Sequence, residues 1–198
     1  MNFNELADLT FSNELVTIRR YHENDFEELN QIFDPEYFTW FFTNYTHCQE
    51  FVAEKQADYA QQKLIMYVII DNKTSRIIGT SSLYEISFRH KRLEMGSSWL
   101  AKAYHGSQYN AVAKHLLIDG LINQCGFNRI QWKTDALNAK SHAAMTKLGF
   151  VYEGTLHRHA VTYTGRVRDS LVFAVTDQTW HEVSKIIQAR ILAKQSRL

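Results

Sequence analysis

The sequence predicts an α/β (α+β) fold in which one mixed sheet is built from both hairpins and helical crossovers. Three observations carry this expectation. Strand-like and helix-like segments intersperse without strict alternation, which suits hairpins alongside crossovers. Two pairs of strand-like runs, 64–70 with 76–84 and 150–161 with 167–175, are separated by short turn segments. The 198 residues are 45% hydrophobic and include a single proline, with no Pro/Gly/Ser-rich linker, internal repeat or low-complexity tract. A real core within one domain is therefore expected over 1–198, with an N-terminal extension over 1–14 and a C-terminal helix over about 177–194.

The elements follow in order. Residues 15–20, LVTIRR, alternate as an opening strand. Asn24 is placed to cap a helix through Phe26, Leu29 and Phe33. Pro35 starts an aromatic-rich helical segment, PEYFTWFFTNY. Thr46 and Gln49 have capping-box spacing for a helix through Ala60. The first hairpin turns at Asp71-Asn72-Lys73, and a further strand covers 93–100. A polar loop over 105–110 leads into a helix through Ala113, Leu116, Leu117 and Leu121. Residues 129–134 form a strand, and Asn138 caps the helix after it. The second hairpin turns at Thr164-Gly165.

Composition narrows the function classes. A formal net charge of +1 gives no field that would gather nucleic acid. Cys48 and Cys125 lack metal-ligand spacing and read as reduced thiols of a cytosolic protein. The first residues lack the basic region and apolar run of a secretion signal, and no apolar run is long enough to cross a bilayer. A cytoplasmic protein without membrane or nucleic-acid partners is expected. His157 and His159 lack convincing ligand neighbours of mixed type, so no metal site is expected. No nucleophilic serine elbow is present, and Cys125 has no paired base in sequence.

Three stretches carry the chemistry. Residues 128–150, NRIQWKTDALNAKSHAAMTKLGF, read as strand, loop, helix and the start of another strand. Asn138 and Ser141 lie at the helix entrance, and Leu148-Gly149-Phe150 ends it. Residues 92–100, RLEMGSSWL, place Glu94 and Gly96 on a strand that runs into a Gly-containing loop ending at Asn110. Together they resemble the RimJ/RimL-like branch of the GNAT acetyltransferase superfamily, the ribosomal-protein N-terminal acetyltransferases and their relatives. The resemblance covers roughly residues 15–175 and is strongest from Arg92 onward.

The resemblance implies a mixed, largely antiparallel sheet flanked by helices, whose two central parallel strands, 93–100 and 129–134, splay apart to admit the pantetheine arm of acetyl-CoA. It implies an N-acetyltransferase acting on a primary amine, such as a protein N-terminus or a small-molecule amine. The coenzyme would lie against Trp99, Leu100, His105, Gly106, Ser107, Gln108, Tyr109 and Asn110. Backbone N–H groups of this loop and the following helix N-terminus would hold its pyrophosphate. The family usually has a second glycine where Gln108 stands, so a side chain there either turns away or narrows the site.

In the same resemblance, Asn138 bonds the pantetheine arm and Ser141 protonates the leaving thiolate. Many members place a tyrosine one turn later for that step, but Met145 has no proton to give. Capping alone would also explain Asn138 and Ser141. An alkyl amine is mostly protonated at neutral pH, so a base must free its lone pair. Strand alternation puts Glu94 on one face with Gly96, Ser98 and Leu100. Glu94 is thus the candidate base, or a solvated partner of Arg92 or Arg76. The amides near Trp99 and Leu100 could polarise the thioester carbonyl. Tyr37, Phe38 and Phe41 would wall the acceptor site, or else pack in the core or at a homodimer surface. A non-catalytic acyl-CoA-binding protein and an oligomerisation module remain as alternative functions.

Overall fold

The structure is a computed structural model and describes residues 1–195. In chain order it contains α1 (Phe3–Ala7), β1 (Phe11–Ser12), β2 (Val16–Arg20), α2 (Phe26–Ile32), α3 (Cys48–Ala60), β3 (Leu64–Asp71), β4 (Arg76–Ser87), β5 (Arg92–Leu100), α4 (Tyr109–Asp119), β6 (Arg129–Asp135), α5 (Ala139–Lys147), β7 (Val151–Val161), β8 (Val167–Thr176) and α6 (Asp177–Gln195). The eight strands form one sheet in the order β1-β2-β3-β4-β5-β6-β8-β7. Every neighbouring pair is antiparallel except β5 with β6. This is the mixed, mostly antiparallel sheet that the family resemblance implies.

The central strands are covered on both faces, so their side chains are apolar on both. On β3, Ile65, Tyr67 and Ile69 join one buried cluster, while Leu64, Met66 and Val68 join the other. The first cluster takes Phe3, Leu6 and Ala7 from α1, Val112 and Leu117 from α4, Met145 from α5 and Val183 and Ile187 from α6. The second takes Leu29 from α2 and Phe51 and Val52 from α3. Residues 1–14 therefore contribute to the core, and β1 extends the sheet beside β2. The buried Tyr67 hydroxyl donates to the Leu6 carbonyl at 2.7 Å, which ties α1 to a central strand.

Three local expectations shift. Asn24 sits inside a short 3-10 turn, Glu23–Asp25, rather than at a helix cap. Asp25 instead accepts from the His22 N–H at 2.8 Å and pairs with Arg19 at 2.7 Å. The capping box before α3 is one residue later than predicted. The Glu50 carboxylate, not Gln49, accepts from the N–H groups of Thr46 (2.9 Å) and His47 (3.1 Å). After Pro35 only one 3-10 turn forms, Pro35–Phe38, because Tyr37, Phe38, Phe41 and Tyr45 all pack against the cluster under α3, in directions that no single helix face could serve. No helix among the described residues is long and apolar enough to cross a membrane.

Candidate active site

β5 and β6 pair only through Arg92↔Arg129, Leu93↔Ile130 and Glu94↔Gln131. Beyond Glu94 the two strands no longer pair, although each remains held on its other side. β5 stays paired with β4 as far as Gly79↔Leu100, and β6 with β8 as far as Asp135↔Ser170. The result is a V-shaped gap in an otherwise continuous sheet. Its lips, residues 95–100 and 132–135, present peptide groups that an extended, amide-bearing ligand could pair with.

A β-bulge reshapes the first lip. From Ser82↔Gly96 to Thr80↔Trp99, β5 uses three steps where β4 uses two. Ser97 absorbs the extra residue with φ +45°, and Thr80 Oγ1 donates to its carbonyl at 3.1 Å. The bulge inverts the alternation of side chains. Leu93, Met95 and Leu100 belong to the cluster under α4, whereas Trp99 belongs to the cluster under α3. Glu94 and Gly96 therefore do not share a face with Ser98 and Leu100, contrary to simple alternation. Ser98 and Leu100 line a small cavity beneath α4 with Met95, and Glu94 faces the opposite side.

The loop from β5 to α4 is anchored from three directions. The hydroxyls of Tyr104 and Tyr109 donate to the two oxygens of buried Asp71, each at 2.9 Å. Burial opposes the Asp71 charge, but the donations from Tyr109, the Lys73 N–H, Tyr104 and Thr74 outweigh it and hold the carboxyl below its usual range. Burial and the same carboxylate push the Tyr109 phenol up to about 12. The Lys102 N–H donates to Tyr37 Oη at 3.1 Å, and His105 Nε2 lies 2.8 Å from the Leu100 carbonyl. From α6, Lys194 donates to the carbonyls of Gly106 (2.7 Å) and Ser107 (2.6 Å). A trans peptide is planar, so turning the Ser107 carbonyl toward Lys194 turns the Gln108 N–H the other way. The amides of the first turn of α4 have no carbonyl partner within the helix.

The loop accommodates Gln108 without strain. Its φ of −73° and ψ of −21° are helical, so the position makes no demand for glycine. The side chain is tucked into the protein at 7% exposure, and Gln108 Oε1 has no hydrogen-bond partner. Gly106 does need its freedom, with φ +76°, and a Cβ there would meet nothing within 4 Å. Asn110 is exposed at the start of α4.

Across the V, Asn138 caps α5. Its Oδ1 accepts from the Ser141 N–H at 3.0 Å, which leaves the Nδ2 group to donate elsewhere. Ser141 is half-buried. Met145, one turn on, is in the core at 4% exposure. Gly149 ends the helix with φ +80°, and Phe150 stacks on Trp132 with ring centroids 4.3 Å apart.

Glu94 is held in a polar network. Lys133 Nζ lies 2.7 Å from Glu94 Oε2 and 2.8 Å from Glu85 Oε1, and Gln131 Nε2 donates to Glu94 at 3.3 Å. Burial works against the Lys133 cation, but both carboxylates together hold it above its usual range. Glu94 thus bonds to β6 across the mouth of the V, not to Arg92 or Arg76, which pair with Glu85 and Glu28.

The aromatic segment divides. Phe38 has 0% exposure and sits among Phe33, Phe41, Tyr45 and Phe51, so of the readings the sequence left open it takes the core one and does not wall the acceptor site. Tyr37 and Phe41 are half-buried, and Tyr37 stacks on Trp99 at 4.9 Å. Sequence reasoning missed three polar residues near this face. Buried Lys55 lies 2.9 Å from Glu54 Oε1 and over the rings of Tyr45, Phe51 and Tyr84. Tyr84 bonds to the hydroxyl of bulged Ser97 and lies over Gly96, whose added Cβ would be 3.3 Å from its ring. Buried Arg168 bonds to Ser170 and the Trp40 carbonyl, covers the Phe42 ring, and approaches Asp135, which also pairs with Arg166. The spacing Phe51–Lys55 and the alternation Arg168–Ser170 were the available signals. The described residues contain no cluster of three or more metal-ligating side chains.

A family model described as an acetyltransferase (GNAT) domain matches residues 16–151. No curated protein matches the chain. Among solved structures, a GCN5-related N-acetyltransferase from Brucella melitensis superposes with a TM-score of 0.82 at 23% identity, covering 92% of this chain and 85% of that one. A ribosomal-protein-S5-alanine acetyltransferase from Vibrio fischeri gives 0.69 at 20% identity, covering 87% and 99%. A spermidine N-acetyltransferase from Vibrio cholerae, in complex with CoA and spermine, gives 0.71 at 18% identity, covering 85% and 99%.

Proposed function

The chain belongs to the acetyltransferase (GNAT) domain family, the acyl-CoA-dependent N-acetyltransferases, and from that premise we propose that it transfers the acetyl group of acetyl-CoA to a primary amine by direct attack in a ternary complex. The acceptor is a protein N-terminus or a small-molecule amine, in keeping with a RimJ/RimL-like member. The observation that carries the reading is the V between β5 and β6, which opens where their pairing stops after Glu94↔Gln131 and leads along β5 to the loop before α4.

Acetyl-CoA supplies an activated acetyl thioester. The residues fit such a ligand. The loop 105–110 carries an unhindered glycine at Gly106 and a helix N-terminus for the pyrophosphate, while the N–H groups of His105, Ser107 and Tyr109 are engaged within the protein. The lips offer peptide groups to the pantetheine amides and, near Trp99 and Leu100, to the thioester carbonyl. Asn138 Nδ2 is free to bond the arm while Oδ1 caps α5. Ser141 is the proposed donor to the departing thiolate. Glu94 accepts the amine proton directly or through ordered water, with Tyr37 and Phe41 forming part of the acceptor wall. Positioning of amine and thioester supplies much of the rate. Relatives named for a ribosomal-protein alanine and for spermidine support both acceptor classes. Free Cys48 and Cys125 support a reducing, cytoplasmic setting.

The competing reading is a non-catalytic acyl-CoA binder, motivated by Met145 in place of a tyrosine. An acceptor panel with labelled acetyl-CoA separates the two. Amine-dependent label transfer with release of CoA is expected. Binding without transfer to any amine would favour the binder, and absence of binding would remove both readings.

A further inference from the structure

Lys114 lies on α4 one turn beyond Asn110 and lines the cavity beneath the bulge with Thr80, Ser81, Met95, Ser98 and Leu100. Protein crowds around its ammonium, yet the side chain keeps partial contact with solvent. It forms no ion pair among the described residues. Ser81 and Ser98 bond to each other at 2.8 Å and Thr80 donates to the Ser97 carbonyl, and neither these hydroxyls nor the Asn110 amide, which also lines the cavity, accepts a hydrogen bond from Lys114. No Asp, Glu or second cation lines the cavity from β2, β3, β4, β5 or α4. On α4 itself, Tyr109 is committed to Asp71, His115 to Ser184, and Asp119 to Trp180. A desolvated ammonium without a partner is costly, and such groups gain most from an acceptor brought by a ligand.

We propose that Lys114 is a binding residue for the pantetheine arm of acetyl-CoA, donating to a carbonyl or hydroxyl oxygen of the arm just inside the pyrophosphate loop. The inference rests on the acetyl-CoA reading above. Its location follows from the helix: the pyrophosphate is assigned to the first turn of α4, and Lys114 lies one turn deeper, on the side facing Ser98 of the V's lip. The inference carries a thermodynamic signature. Burial pulls the free Lys114 ammonium down to about 8. An acceptor oxygen favours the charged form, so binding should draw a proton onto the lysine.

The test is titration calorimetry of the full chain with acetyl-CoA, which has no titrating thiol, in buffers of different ionisation enthalpy. At pH 8 a group with pKa about 8 is half protonated, so uptake of about half a proton is expected, falling to about a tenth at pH 7. Phosphate monoesters titrate near 6 and add little at pH 8. Lys114→Met should lose the uptake and bind acetyl-CoA about tenfold more weakly. Lys114→Arg, which stays charged, should bind without uptake and guards against a misfolded methionine variant. ADP has the pyrophosphate but no pantetheine, and should draw no proton at millimolar concentration. Equal uptake by wild type and both variants would overturn the proposal while leaving the acetyl-CoA reading intact. Equal uptake with ADP would move Lys114 to the phosphates and overturn the pantetheine assignment. No heat from acetyl-CoA with any variant would overturn the acetyl-CoA reading and this inference with it.

Discussion

Replacing Asp71 should loosen the loop assigned to the coenzyme. Asp71 ends β3 at 3% exposure and accepts four hydrogen bonds, from Tyr104, Tyr109, Thr74 and the Lys73 N–H, at 2.9 to 3.1 Å. Hydrogen bonds to a charged group contribute about 1.5–3 kcal/mol each. The two tyrosines are half-buried, so their hydroxyls recover part of that from water, and removing the carboxylate also removes its desolvation penalty. Asp71→Ala should therefore cost about 3 kcal/mol, and Asp71→Asn, which keeps one acceptor oxygen, about half as much. With a urea slope of about 2 kcal/mol per M, the alanine variant should unfold about 1.5 M earlier. Binding must then order the freed loop, so acetyl-CoA affinity should fall about tenfold in calorimetry. The sign with pH follows from the lowered Asp71 pKa: its contribution is present above the unfolded value near 4 and is lost as pH falls below it. Acid denaturation should thus lose part of its steepness in Asp71→Asn. A urea midpoint within about 0.3 M of wild type, with unchanged affinity, would refute the anchoring argument.

Three further outcomes are expected. Gln108→Gly should preserve or tighten acetyl-CoA binding, because the loop's helical backbone there does not depend on the side chain; clearly weaker binding would reveal a specific contact by the glutamine. Asn138→Ala should weaken coenzyme binding while Ser141→Ala mainly lowers turnover, and equal loss of binding in both at unchanged saturated turnover would reduce the pair to helix capping. Glu94→Gln should cut turnover by about 10²–10⁴-fold with acetyl-CoA affinity nearly intact, and the loss should shrink at high pH, where more amine is already neutral. A fully active glutamine variant at neutral pH would pass the proton to ordered water or another residue.

Much of this molecule is local in origin and was legible in the chain. Alternation marked the strands, turn residues at Asp71-Asn72-Lys73 and Thr164-Gly165 marked the hairpins, and Asn138 capped α5 through the bond its spacing allows. The family resemblance carried by the motifs around Glu94, Gly106 and Asn138 implied a sheet with one central parallel pair, as found. The alternation, turns and caps act over one helical turn or one strand pair, so sequence spacing reports them directly.

What the tertiary structure alone decided depends on distance in the chain. Residue identity does not announce the bulge at Ser97, because a bulge is a mismatch between two strands, and it moved Ser98 and Leu100 to the face opposite Glu94. Phe38 looked like any ring of its segment until packing buried it completely. Tyr104 and Tyr109 meet Asp71 across 33 and 38 residues, and Glu94 meets Lys133 only because two strands run parallel at the mouth of the V. The ammonium of Lys114 is ordinary on a helix wheel and becomes chemically distinct only when the sheet desolvates it. Sequence records the preferences of each segment; burial, charge pairing and the face a side chain finally occupies are properties of what the fold brings against it.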